Sequence, residues 1–144
     1  MQPVGKLLSL YISTPEHSST VEQTYIDTEI AGIVGDKHYR KDTERSILIT
    51  SIESYALLEA HDIHIPYGTL GENILIDYNP YHLPVGSQLK IGEAILEITQ
   101  NCTLCKHLAI HDKRIPKLLK NDRGIFAKVV HRGRIKKDDP LYLV

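Results

Sequence analysis

The apolar residues of this chain recur mostly at every second position, in short runs broken by glycine, proline and aspartate. Alternation of that kind marks half-buried strands, and many short strands separated by turn residues close into a barrel or sandwich rather than a helical bundle. The clearest instance is "QLKIGEAILEIT": Leu89 and Ile91, then the run from Ile95 and Leu96 onward, flank Gly92-Glu93. A Gly-X pair between two apolar runs predicts a two-residue type II′ hairpin. Further strands are expected at Lys6 to Ser13, Thr20 to Ile30, Ser46 to Thr50, Glu72 to Asp77, Phe126 to Val130 and Leu141 to Val144. Helical signals are fewer. Thr50 stands three residues before Glu53, a capping-box spacing, and Ile52, Tyr55, Ala56 and Leu58 follow at helical intervals to an end near His61. A shorter helix is expected from Arg114 to Asn121, where Ile115, Leu118 and Leu119 share a face. The fold class read from this pattern is mainly β, a barrel with a few short peripheral helices.

With 144 residues and neither an internal repeat nor a Pro/Gly/Ser-rich linker, residues 1–144 are expected to form one domain. A chain of this size buries about 70% of its unfolded surface, so its two cysteines are not needed as staples. The formal charge is -1 with scattered basic residues, which argues against nucleic acid as a partner. The opening "MQPVGKLLSLYIS" lacks the pattern of a secretory signal, and no stretch approaches the ~20 apolar residues of a membrane helix. The expectation is a cytoplasmic protein without a membrane partner. In a reducing compartment a close cysteine pair is more often catalytic, redox-active or metal-binding than a structural disulfide.

That pair is Cys102 and Cys105, in "EITQNCTLCKHLAI". With His107 and His111 it suggests zinc, but a closed site draws its ligand pairs from separated segments, and these four lie within ten residues. A thioredoxin-like dithiol needs a helix N-terminus in a βαβ setting, whereas the surroundings here read as β-hairpin. A single working thiolate at the end of a strand, with Lys106 and His107 beside it, is the third reading. Two small buried residues are the fourth. Polar residues elsewhere add weight to a site. "GIVGDKHYR" follows two glycines with Asp36, His38 and Arg40, and Arg45 precedes the apolar "ILIT"; such a loop binds an anion through amides and Arg or His, or is a plain turn. In "YGTLGENILI", Gly71-Glu72-Asn73 opens a strand with residues that rarely do so unless their side chains are bonded nearby.

Taken together, "GIVGDKH", "RSILI", "YGTLGENILI", "LPVGSQLKIGEAILEIT", "CTLC" and "GIFAKVVHRGRIKKDD", in that order, resemble the MOSC domain family, named after the C-terminal domain of molybdenum cofactor sulfurase. The resemblance covers nearly the whole chain and implies a MOSC-like β-barrel. It implies that the signature cysteine, following Thr99-Gln100, is Cys105, catalytic and a metal ligand, with Cys102 as an accessory position. Gly35, Asp36, His38, Arg45, Gly71, Glu72 and Asn73 match the family's other motifs and are the implied cofactor-binding residues. Asp138-Asp139 stands where many members have a Gly-Asp turn.

The implied cofactor is the molybdenum cofactor, a molybdenum held by the dithiolene of a phosphorylated pterin, for which a soft thiolate is a suitable ligand. Cys105 would complete the coordination, and the arginine and loop amides would hold the pterin and its phosphate. Two activities follow from the resemblance: reduction of N-hydroxylated substrates with electrons from a separate reductase, or carriage of sulfur on Cys105 between donor and acceptor proteins. The pyridoxal-phosphate domain of the fused sulfurases is absent here, so no pyridoxal phosphate is expected. A non-catalytic cofactor carrier and a Cys/His metal- or redox-responsive domain are the alternatives, and exposed strand edges leave room for a homodimer.

Overall fold

The computed structural model describes residues 2–14, 16, 20–103 and 106–144. In chain order the strands are β1 (Gly5–Ile12), β2 (Val21–Gln23), β3 (Tyr25–Glu29), β4 (Gly32–Ile33), β5 (Ile47–Ser51), β6 (Ile74–Ile76), β7 (Gln88–Ile91), β8 (Ala94–Asn101), β9 (Ile125–His131), β10 (Gly133–Lys136) and β11 (Pro140–Leu143). Helix α1 (Ile52–Ala60) follows β5, and α2 (Ile115–Leu118) precedes β9. Single 3-10 turns run over Thr43–Arg45 and Lys106–Ile110.

Seven strands close a barrel in the order β1-β11-β7-β8-β9-β5-β6, with the ring completed where Gly5 pairs with Leu141 and Lys6 with Pro140. An odd number of strands cannot alternate direction all the way round, so at least one neighbouring pair must be parallel. That pair is β5 with β6, and a parallel pair needs a crossover, which α1 supplies. The lumen is filled by Leu7, Ile47, Ile49, Ile74, Ile76, Leu89, Ile91, Leu96 and Ile98 among others. Alternation is clean in β8, where Ala94, Leu96 and Ile98 are buried and the residues between them are not. In β5 and β6 every residue is buried, and the outward Leu75 of β6 belongs to a second apolar cluster with Tyr55, Leu58, Leu70, Leu108, Ile115 and Leu119. Burying each such side chain contributes about 1.5–3 kcal/mol.

The structure is mainly β with two short helices, as the alternation predicts. The β7–β8 hairpin pairs Ile91 with Ala94, Gly92 takes φ +57°, and Glu93 is not among the positive-φ residues, the pattern of a type II′ turn. Asp138 takes φ 70°, supplying the left-handed residue before the last strand. Three expectations are corrected. The α1 cap is Ser51, whose hydroxyl accepts from the Glu53 N–H at 3.1 Å; Thr50 stays in β5 and donates to the Arg123 carbonyl at 2.9 Å. The second helix is confined to Ile115–Leu118. The expected strand Thr20 to Ile30 is two strands, since β2 pairs with β1 while β3 belongs to a separate sheet of order β10-β3-β4. Strands β4 and β10 were not anticipated, each carrying a single buried isoleucine, Ile33 or Ile135. Among the described residues no helix is long and apolar enough to cross a membrane.

Candidate functional site

On the outer side of β5 the barrel wall is not covered by helix, and a cavity of about 270 Å³ opens there. Leu48 forms part of its wall, with Ser13 from the end of β1, Lys37 and His38 from the loop after β4, and Arg45 with Phe126. Gly71, Asn73, Cys102, His107 and Arg123 complete the lining. A groove of about 550 Å³ adjoins it and shares Ser13, Lys37, Gly71 and His107.

Two buried polar residues hold the loops around this cavity. The Asp36 carboxylate accepts from the Ser13 N–H at 2.7 Å and the His38 N–H at 3.0 Å, and lies 3.1 Å from the His38 ring Nδ1. Burial pushes this carboxyl up, but the His38 ring and the two backbone donors outweigh it and hold it below the usual carboxylate range. Asn73 joins three segments: its Oδ1 accepts from the Leu48 N–H at 2.9 Å, and its Nδ2 donates to the Tyr11 carbonyl at 3.2 Å and to Asp36 at 3.4 Å. An asparagine opening a strand is thereby explained, because its amide does the work of a missing strand neighbour between β1 and β5.

Glu72 points the other way. It is 0% exposed, and its carboxylate accepts from the Tyr55 hydroxyl at 2.7 and 3.0 Å and from the Gly68 N–H at 2.9 Å. Burial pushes its carboxyl up, against the pull of Tyr55, the Gly68 amide and Arg123. Burial and the same carboxylate push the Tyr55 phenol up as well. Glu72 thus fixes the floor loop 68–71 from beneath and does not line the cavity.

Arg123 closes the floor from the side. Its Nε and Nη2 donate to the Leu70 carbonyl at 3.1 and 2.7 Å, and Nη2 lies 3.4 Å from His107 Nε2. Gly71 takes φ +85°, a conformation L side chains rarely adopt, and a Cβ there would stand 3.2 Å from Arg123 Nη2 and press on the guanidinium. His107 is held below the ordinary imidazole range by burial, by Arg123 and by His111. Arg45 ends a 3-10 turn capped by Asp42, and its guanidinium sits over the Phe126 ring, 5.6 Å from the centroid.

Of the residues singled out from sequence, His38, Arg45, Gly71 and Asn73 line one cavity, together with Cys102. Asp36 lies behind its lining, as Glu72 does, and the exposed Gly35 is not part of the lining. Cys102 is 2% exposed and its N–H donates to the Gly124 carbonyl at 3.0 Å. Cys105 lies outside the described residues; its neighbours in the chain, Cys102 and His107, both line the cavity. Lys37 and Arg123 were not singled out. Lys37 stands inside the "GDKH" segment, but Arg123 carries no local signal: only the pairing of Asn101 with Ile125 brings it beside the thiol segment. Among the described residues no three His, Cys, Asp or Glu side chains converge as metal ligands.

A larger hollow of about 1030 Å³ lies against the three-stranded sheet, where acidic and basic side chains alternate and Arg134 is paired to Asp27 at 2.9 Å. Its lining mixes both signs, with Asp27, Glu29, Glu93 and Asp139 beside Arg132, Arg134 and Lys136. The smaller cavity is different, because no carboxylate stands among its described lining residues or those of the adjoining groove.

The closed β-barrel thus carries a side cavity lined by arginine, lysine, imidazole and a thiol. The chain belongs to the MOSC domain family, whose pattern it matches over residues 34–142. The family is associated with the molybdenum cofactor. The fold is similar to that of the YuaD protein from Bacillus subtilis, at 19% identity and a TM-score of 0.77, covering 95% of this chain and 93% of that one. It is also similar to YiiM from Escherichia coli, at 19% identity and a TM-score of 0.73, covering 96% and 69%. YiiM from Geobacillus stearothermophilus gives 17% identity and a TM-score of 0.71, covering 99% and 74%. No curated protein sequence matches the chain.

Proposed function

We propose that the side cavity holds the molybdenum cofactor and that Cys105 supplies the thiolate to its metal. The observation that carries this reading is the charge of the lining: Lys37, His38, Arg45, His107 and Arg123 face the cavity, with no carboxylate among its described residues, in a chain of net charge -1. The residues fit the group. A phosphorylated pterin dithiolene is polyanionic, a planar guanidinium binds phosphate in bidentate fashion, and Gly71 leaves open the space a side chain would fill. The cavity, about 270 Å³, stands at the lower edge of the ~300–1000 Å³ common for small-ligand sites and opens into the adjoining groove.

In this reading Arg45 and Lys37 hold the anionic parts of the cofactor, and Arg123 shapes the floor through Leu70 and Gly71. Asn73 and Asp36 keep the surrounding loops in register, and Glu72 keeps the floor from sagging. The cofactor, when bound, supplies two-electron oxygen-atom exchange. The activity proposed is reduction of N-hydroxylated substrates, with electrons from a separate reductase because the chain has no flavin, haem or iron-sulfur motif.

The test is metal and pterin analysis of protein purified from cells that make the cofactor, wild type beside Cys105→Ser. Molybdenum and pterin in the wild type, with molybdenum lost in the variant, is the expected result. Zinc in place of molybdenum overturns the reading in favour of a Cys/His metal site. A persulfide on Cys105 with no molybdenum overturns it in favour of sulfur carriage.

A further inference from the structure

We propose that the groove adjoining the cavity is the substrate pocket of this site, and that it takes uncharged or anionic, partly apolar small molecules while excluding cationic ones. The inference rests on the reading that the inner cavity is filled by the cofactor, which leaves the groove as the open approach to it.

The groove is continuous with the cavity through Lys37, Gly71 and His107, so a molecule lying in it touches the residues that border the cofactor's place. One wall is apolar. Leu108 is buried in the second apolar cluster, whereas Ile110, two residues on, is 85% exposed, the highest exposure among the large apolar residues described. An isoleucine at the lip of a groove offers a flat edge for an aromatic or aliphatic body to cover. The same 3-10 turn and the residue after it carry the imidazoles of His107 and His111 into the lining, and Thr69 adds a hydroxyl from the floor loop.

The charge pattern gives the selectivity. Lys37 contributes an ammonium, and no carboxylate stands among the described lining residues. Of the acidic residues that adjoin the lining in the chain, Asp112 is bound by Arg114 at 2.9 and 3.1 Å, Asp36 and Glu72 are spent on backbone amides and neighbouring side chains, and Glu16 and Glu22 stand outside the lining. A cationic molecule entering the groove would leave water to face Lys37 with nothing to neutralise it, and like-charge juxtaposition of this kind rejects ligands strongly.

The test uses the full chain and three matched aryl N-hydroxyureas, carrying a para carboxylate, hydrogen or trimethylammonium group. Binding is followed by calorimetry and by the histidine ring signals in NMR, so the readout does not depend on turnover. The carboxylate probe is expected to bind about tenfold or more tightly than the trimethylammonium probe and to shift imidazole signals that His107→Gln and His111→Gln remove. Ile110→Glu, at an exposed position outside the inner cavity, is expected to narrow or reverse that order while molybdenum content stays unchanged. Equal affinity for all three probes, or an order that Ile110→Glu leaves untouched, overturns the proposal. Molybdenum content reports separately on the cofactor reading, so the two can fail independently.

Discussion

The hollow beside the three-stranded sheet and the cavity beside β5 differ in size and charge, and the smaller one has the features of a site. The hollow beside the three-stranded sheet is the larger, yet Asp27, Glu29, Glu93 and Asp139 stand among Arg132, Arg134 and Lys136, so its walls neutralise one another. In the cavity beside β5 the cations face inward and the nearby carboxylates of Asp36 and Glu72 are turned to the loops behind. The difference lies in where the acids go. A carboxylate used as a backbone anchor organises a cavity without cancelling its charge, and a carboxylate on the wall cancels it.

The largest expected effect tests that division directly. Glu72→Ala leaves the Tyr55 hydroxyl and the Gly68 N–H without their buried acceptor, and is expected to destabilise the fold by about 3 kcal/mol or more in urea denaturation. Glu72→Gln, which keeps the shape and one acceptor, is expected to lose less. A loss below ~1 kcal/mol for the alanine variant would mean that Glu72 is not the floor anchor described here.

The next effect concerns pH, because the two anchors shift in opposite directions. Asp36 is held below its ordinary range in the folded state, so its contribution is present above the unfolded carboxylate value and is lost as pH falls through the lower folded value. Glu72 is pushed up on folding, so its effect is the reverse: stability declines as pH rises from the ordinary carboxylate range through the raised folded value. Denaturation across acidic to neutral pH should show the acid-side loss diminished in Asp36→Asn and the decline on raising pH diminished in Glu72→Gln. Identical slopes in the two variants would erase the distinction between the anchors.

Much of the barrel is legible in the sequence because alternation reports burial on one face, as it does in β7, β8 and most of β9. The two-residue turn at Gly92-Glu93 is legible because few sequences tolerate a positive φ there. What is hidden depends on pairing partners. Nothing within Thr20 to Ile30 reveals that β2 joins the barrel and β3 the other sheet, and a hydroxyl at Thr50 looks like a cap as much as the one at Ser51 does. The site is half legible for the same reason. Asn73 and Arg45 stand out as polar residues at strand openings, but the inward turn of Glu72 and the approach of Arg123 to His107 exist only once Leu70, Gly68 and Tyr55 are folded around them. The family resemblance implies that Glu72 and Asn73 orient the set, and the side chain of Glu72 acts through Gly68 and Tyr55 beneath the floor rather than on the cavity wall.

The smallest effects on stability belong to a pair of arginines, one from each hollow, and together they test whether charge location governs function. Arg45 lies over Phe126 and lines the cavity, so Arg45→Ala removes a cation–π contact of about 0.5–1 kcal/mol and one of the cations that would meet the cofactor. Arg134 donates to Asp27 at 2.9 and 3.2 Å and stacks 4.1 Å from the Tyr25 ring centroid, and Arg134→Ala leaves Asp27 as an added negative charge on the wall of the larger hollow. Both variants should fold with thermal midpoints near that of the wild type, since both side chains stand largely in water. Molybdenum and pterin per chain should fall several-fold in Arg45→Ala and stay at the wild-type level in Arg134→Ala, because only the first alters the field inside the cavity. Equal losses in the two would show that the protein's overall charge, not the arrangement around β5, holds the ligand, and the comparison between the hollows would then lose its force.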